Sequence, residues 1–263
     1  MIALGTATFA WFTNSTSASV SGMTVSVNAS EGLLVRASFS SSFADDPAWK
    51  GTFDLEADNI KLNPVSGVAG TGSSMSFYAL TCDSDAKVTG FIDNPAAVAN
   101  TAGVPSSAAG YYIPIYVQAK SVGTTTSNLQ QTTIEADNTL SGKAQIGVGN
   151  VTGGSFTGIF NTDATTTKYY ALSGVPVSYV SGALSLNTSY ALPYDTPTED
   201  ILTEVTPIAA TTATNVATPA QLNAAGGVTL VYYVYVEGQK VNPELTTLTG
   251  DITLSFDLVA PTP

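Results

Sequence analysis

Apolar and polar residues alternate with period two along most of the chain, the spacing of strands that turn one face to a core and the other to solvent. Met23, Val25 and Val27 alternate with Thr24, Ser26 and Asn28, and GLLVRASF continues with Leu33, Val35, Ala37 and Phe39 on one face. Further strands are predicted in MSFYAL, YYIPIYVQA, AQIGV, KYYAL and VPVSYV, separated by Gly, Ser, Asn and Asp clusters with turn chemistry. Pro114 has no backbone N–H, so YYIPIYVQA is expected at a sheet edge or a bulge. VTLVYYVYVEG is apolar on both faces and should lie centrally in a sheet. DITLSFDLV instead points Ile252, Leu254, Phe256 and Leu258 inward and Asp251, Thr253, Ser255 and Asp257 outward. These last two segments are expected to pair as an antiparallel hairpin.

Helical periodicity is nearly absent. Two polar stretches, 93–110 and 193–227, interrupt the alternation and are expected as long loops on a β scaffold. Within the second, TPTEDILTEV predicts a short helix, with Thr198 as its cap and Glu199 and Asp200 in its first turn. Neither an internal repeat nor a linker divides the chain, so residues 14–263 are expected to form a single all-β domain, an antiparallel β-sandwich.

The opening segment, MIALGTATFAWF, stands apart from this domain. As a strand it places Ile2, Leu4, Ala10 and Phe12 on one face and Ala3, Ala7, Phe9 and Trp11 on the other, with Thr6 and Thr8 adding β-branched character. It is too short to span a bilayer as a helix, and it lacks the cationic start of a signal peptide. A segment apolar on both faces has to be buried between layers. Two placements achieve that: residues 1–13 form the first strand of their own domain, or they leave it and complete the sheet of a neighbour as a donor strand.

Composition narrows the chemistry. Of 263 residues 44% are hydrophobic and 11% charged, enough for a large core with little charge left for the surface. The balance of 20 Asp+Glu against 8 Lys+Arg gives a net charge of -12, which repels nucleic-acid backbones and anionic lipid. The abundance of Gly, Ser, Thr and Ala suits an exported surface. Histidine is absent and Cys82 is the sole cysteine, so no disulfide forms within the chain, and His/Cys zinc sites, Ser-His-Asp triads and Cys-His pairs are excluded. Cys82 reads as a small buried side chain. No SxxK, phosphate-loop or dinucleotide-binding pattern is present. Neither an enzymatic activity nor a cofactor is expected.

What chemistry remains is carboxylates, aromatics and sequons. Asp45 with Asp46, Asp83 with Asp85, and the group Asp195, Glu199, Asp200 and Glu204 read as solvated loop acids. Asp83, Asp85, Asp195, Glu199 and Asp200 are the calcium candidates among them, because hard oxygen ligands in loops suit that ion. A secreted hydrolase would have to set such a pair in a cleft. Tyr111, Tyr112, Tyr116, Tyr232, Tyr233 and Tyr235 fall on predicted strands and read as packing before a sugar platform. Sequons at Asn14, Asn28, Asn150 and Asn187 permit glycosylation.

Both ends of the chain resemble one family. ATFAWFTNSTSASVSGMTVSV, with AWFT directly after a small-residue apolar run, resembles the start of mature TasA/camelysin-like proteins of bacterial surfaces. VYYVYVEGQ followed by GDITLSFDL is similar to the strand, Glu-Gly and final-strand pattern near their end. The resemblance implies a jelly-roll-like sandwich, secreted after signal-peptide cleavage, that polymerises into extracellular fibres of the biofilm matrix. In such fibres, and in similar archaeal bundling pili, an N-terminal strand inserts into the next subunit. Carried over, Ile2, Leu4, Ala7, Phe9, Trp11 and Phe12 would be the assembly residues. The partners would be identical subunits, with no nucleic acid and no membrane in the mature form. The metalloprotease activity described for camelysin does not carry over, since no histidine is available as a ligand.

Such a contact joins unlike surfaces head to tail, so it propagates into a filament. Burying Ile2, Leu4, Phe9, Trp11 and Phe12 would contribute on the order of ten kcal/mol. The alternative is a monomeric cell-surface adhesin or carbohydrate-binding sandwich with an intrachain first strand.

Overall fold

The structure is a computed structural model that describes residues 18–21, 23–43, 48–57, 60–82, 88–101, 104–105, 109–172, 179–180, 183–184, 202–237 and 247–260. Ten strands build a sandwich. They are β1 (Met23–Ala29), β2 (Leu33–Ser38), β3 (Thr52–Ala57), β4 (Tyr112–Ser121), β5 (Asn128–Ala136), β6 (Ala144–Asn150), β7 (Ser155–Asn161), β8 (Thr214–Ala217), β9 (Val228–Val236) and β10 (Ile252–Val259). One sheet, the tyrosine sheet, has the order β7-β6-β9-β4-β2; the other, the polar sheet, has the order β8-β5-β10-β1-β3. Neighbours run antiparallel except β1 and β10, which pair in parallel from Val25–Ile252 to Ala29–Phe256. No hairpin turn joins these two, so nothing forces them antiparallel.

The alternation read from the sequence becomes the core. Met23, Val25 and Val27 of β1 and Ile252, Leu254 and Phe256 of β10 face Val228, Leu230, Tyr232, Val234 and Val236 of β9. The rings of Tyr232 and Phe256 meet edge to face at 6.4 Å. The Tyr232 hydroxyl donates across the core to Gln131 Oε1. Gln131 Nε2 in turn donates to the carbonyls of Thr133 (2.6 Å) and Ser255 (2.9 Å), where the β5–β10 register shifts. A buried amide thus satisfies carbonyls beside the irregularity, and it ties the two sheets together.

Several expectations are placed or corrected. β9 is central, flanked by β6 and β4. It does not pair with β10, however: the two lie in opposite sheets and meet across the core. Alternation shows which face is buried but not whether the neighbour is bonded edge to edge or packed face to face. β2 pairs with β4 from Tyr116 to Ser121, so Pro114 sits on the part of β4 that β2 does not reach. The stretch 193–227 is not simply a loop, because it contains the strand Leu202–Val205, the sheet-edge strand β8 and the helix α1 (Pro219–Leu222). The helix expected at TPTEDILTEV is therefore wrong over 202–205, which pair with Tyr169–Leu172. Thr198, Glu199 and Asp200 lie outside the described residues. Helix α1 begins at Thr218, which forms a capping box with Gln221, with Pro219 in the first turn.

A third layer covers part of the tyrosine sheet. It consists of the three-stranded sheet Ser66–Ala69, Met75–Cys82 and Val88–Asp93 together with the paired strands Tyr169–Leu172 and Leu202–Val205. Phe77 stacks on Tyr112 at 4.2 Å and meets Tyr235 edge to face at 5.3 Å. The layer comes so close to β6 that a Cβ at Gly147 would lie 1.9 Å from Met75 Sδ, and one at Gly149 2.0 Å from the Ser73 carbonyl.

Candidate functional site

The first described strand, Ala18–Ser21, lies between Ile60–Leu62 and Thr247–Thr249. Val20 faces Ile60 and Met23 faces Ala57, so the same antiparallel register holds on both sides of residue 22. This small sheet prolongs the polar sheet, and the chain before Ala18 therefore joins the sandwich at that end, the leading end. The expected donor residues Ile2, Leu4, Ala7, Phe9, Trp11 and Phe12 lie outside the described residues.

At the opposite end, the chain turns from β1 into β2 through Gly32 at φ 89°, a left-handed conformation that favours glycine. Register carries this turn end across the tyrosine sheet: Leu33 faces Ser121, Ala119 faces Val228, and Asn150 faces both Leu230 and Ser155. The exposed large hydrophobic residues among those described, Val122 (64%), Val151 (45%) and Val259 (37%), all sit here. Val122 N–H donates to the Gly32 carbonyl, Val151 N–H to that of Thr229, and Val259 faces Asn128.

The four sheet edges differ in how they are protected. Lys50 closes β2 with two hydrogen bonds to Val35, at 2.7 and 2.9 Å. Strand β8 is four residues long. Strand β3 exposes Asp54 and Glu56. On β7, Ile208 pairs with Ile159 and Asn161 at 2.8 Å each. The remainder of β7, Ser155–Gly158, carries no charge and has β6 as its sole strand partner among the described residues. The β6–β7 register shifts beside Thr157.

Sequence reading missed a cation–aromatic cluster on the outer side of β2 and β4. The Arg36 guanidinium lies 4.9 Å from the ring centres of Phe43 and Trp49, and Lys120 Nζ lies 4.3 Å from that of Trp49. Arg36 Nε donates to Gln118 Oε1 at 2.7 Å, and Gln118 Nε2 to Thr229 Oγ1 at 3.0 Å. The local signal was WK following the sole arginine's strand by a short loop. Pairing of β2 with β4 is what brings Lys120 to it.

Tyr232 packs in the core, Tyr111, Tyr112, Tyr169, Tyr233 and Tyr235 pack at the third layer, and Tyr116 is half-buried on the outer side of β4. Tyr232 and Tyr235 are wholly buried, and burial holds their hydroxyls well above the usual tyrosine range. Burial raises Tyr169 too, with the Glu237 carboxylate adding to the effect, and pushes Tyr233 up to about 12. The Tyr169 and Tyr235 hydroxyls lie 3.3 Å apart, and Ser66 Oγ donates to the buried Glu237 carboxylate at 3.1 Å. The Tyr169, Tyr232 and Tyr235 hydroxyls stay protonated, and each has a hydrogen-bond partner inside the protein, so they act as structural groups.

Other candidates are placed as follows. Asp45, Asp46, Asp83, Asp85, Asp195, Glu199, Asp200, Asn14 and Asn187 lie outside the described residues. Glu204 is exposed and pairs with Lys168 at 2.5 Å. Among the described residues no three Asp, Glu or Cys side chains converge as a metal-ligand set. Asn28 is exposed on β1, where a glycan has room. Asn150 is not an acceptor in the folded chain. It is 4% exposed, its Nδ2 donates to Val216 O (2.8 Å) and Gln221 Oε1 (3.2 Å), and its Oδ1 accepts from Gly153 N–H (2.6 Å). Compared with family models, with curated proteins and with solved structures, the chain matches none.

Proposed function

We propose that this chain is a structural subunit of an extracellular filament, secreted after signal-peptide cleavage and assembled head to tail through its N-terminal segment. The observation that carries this reading is an opposition of ends. An apolar segment precedes Ala18 at the leading end, while the exposed valines and the uncharged, one-sided stretch Ser155–Gly158 lie at the turn end. Insertion of residues 2–12 of one copy beside a sheet edge of the next would join unlike surfaces and so propagate without closing. Of the open edges, β7 is the better acceptor, since Asp54 and Glu56 guard β3. The resemblance of AWFT and of VYYVYVEGQ to TasA/camelysin-like fibre proteins supports the same reading, with assembly rather than catalysis as the function.

Removal of residues 1–13 tests it. The intact chain is expected to form regular filaments in electron micrographs and the shortened chain to stay folded and form none. Normal polymerisation of the shortened chain would overturn the proposal. Thr157→Lys on the intact chain should weaken assembly by placing a charge at the acceptor edge, and unchanged filaments from that variant would move the acceptor away from β7.

A further inference from the structure

Charges in the sandwich strands sort by sheet. In the tyrosine sheet the charged strand residues are Arg36 and Lys120; in the polar sheet they are Asp54, Glu56, Glu135 and Asp257. For a chain with 20 acids and 8 bases, a five-stranded sheet carrying cations and no carboxylate is the departure from expectation. The loop between β2 and β3 strengthens it. Half-buried Trp49 lies against Arg36 and Lys120, and exposed Lys50 follows directly. Three cations and an indole thus share the β2–β4 shoulder, to one side of the third layer.

The far side of the sandwich presents the complement. All four carboxylates there are exposed. Asp54 faces Ser26, Ser26 faces Thr253, and Thr253 faces Glu135. Those pairings set two carboxylates at the ends of one cross-sheet row about 14 Å long, with hydroxyl side chains between them. Asp257 lies farther along the same face.

We infer that the Arg36, Lys50, Lys120 and Trp49 shoulder docks on the acidic outer face of the polar sheet of a second copy of this chain. The two surfaces lie on opposite sides of one molecule, so the contact repeats sideways and associates molecules or filaments laterally. Single exposed ion pairs are weak and salt screens them, with a Debye length of about 10 Å at 0.1 M. Lateral association is therefore multivalent and salt-sensitive, unlike a buried-strand contact. It does not depend on the head-to-tail reading. Filament formation reports that reading, whereas this one is reported by bundling of filaments or, for a monomeric chain, by reversible self-association in sedimentation.

The test uses the full chain and leaves Arg36 in place, because it holds Gln118. K50E/K120E and E135K/D257K are each expected to raise the concentration at which lateral association appears by at least about tenfold at low salt. The quadruple variant, with two charges exchanged on each surface, should restore it in part, with circular dichroism confirming the fold of each. Raising the salt concentration should dissolve the wild-type association. Unchanged association in either double variant, or no restoration in a folded quadruple variant, would overturn the inference. So would a wild-type chain that fails to self-associate but binds a polyuronate through Lys50 and Lys120, since the shoulder would then serve an anionic polysaccharide.

Discussion

In the polar sheet, β10 sends Ile252, Leu254 and Phe256 into the core and Thr253, Ser255 and Asp257 outward, and solvent meets the outer side. In the tyrosine sheet, β9 sends Val228, Leu230, Tyr232, Val234 and Val236 into the same core, while its outward Val231 and Tyr235 are also buried. A strand apolar on both faces asks for a second covering layer. Here that layer is assembled from strands inserted between those of the sandwich, Ser66–Ala69, Met75–Cys82 and Val88–Asp93 after β3 and Tyr169–Leu172 and Leu202–Val205 after β7. The shared core should therefore fail for both sheets at once, whereas the third layer should fail for one.

High pH breaks the comparison most completely. Tyr232 in the core and Tyr169, Tyr233 and Tyr235 at the third layer have folded-state pKa values raised above the ordinary 10.0 by burial. Below that value both folded and unfolded chains hold the proton, and their contribution to stability is complete. As pH rises through and beyond it the unfolded chain releases protons first, so stability is lost. Because Tyr233 is pushed to about 12, unfolding should set in between pH 10 and 12, with tyrosinate absorbance and loss of near-UV dichroism rising together. Tyrosinate absorbance of all 12 tyrosines appearing ahead of unfolding would show these hydroxyls to be accessible. Next in size, Phe256→Ala removes the ring against Tyr232 and should cost about 3–5 kcal/mol in urea unfolding, with both sheets melting in one transition.

A change at the contact between β6 and the outer layer should behave differently. Gly149→Val drives a side chain into the Ser73 carbonyl, which as backbone cannot rotate away. The expected cost is about 2–3 kcal/mol. It should appear as early proteolysis near residues 70–75, ahead of global unfolding. Equal protection in the variant and the parent would mean that the third layer is not an independent unit.

Legibility in the sequence followed the same division. Strands with one polar face, β1 and β10, were readable to the residue because period two is a direct image of a half-solvated sheet. The central place of β9 was readable as well, but the identity of what covered its second face was not, since Phe77, Met75 and Tyr169 lie far away in sequence. Leu202–Val205 was mistaken for a helix because the acids of TPTEDILTEV resemble a first turn; pairing with Tyr169–Leu172 decides its conformation. The capping box at Thr218 and Gln221 was legible in principle, as TPAQ carries its cap, proline and amide at the required spacing, and the surrounding polar run hid it. Nothing local marked the Trp49 cluster or the sorting of charge, because both exist only once strands are assigned to sheets.

Two asparagines in Asn-x-Ser/Thr sequons sharpen the contrast at the smallest scale. Asn150 ends β6 and bonds through one amide to the Val216 carbonyl, to Gln221 and to Gly153, so it joins the β6–β7 turn to β8 and helix α1. Asn150→Ala leaves buried partners without it and should cost about 1–2 kcal/mol. Asn28 stands exposed among the outward residues of the polar sheet, and Asn28→Ala should fall within about 0.5 kcal/mol of the parent. In a host that glycosylates Asn-x-Ser/Thr, a mass shift is expected on the peptide with Asn28 and none on that with Asn150 once the chain has folded. A glycan on Asn150 of the folded protein would mean that the turn end opens, since the amide nitrogen that must be modified is the one that holds Val216 and Gln221.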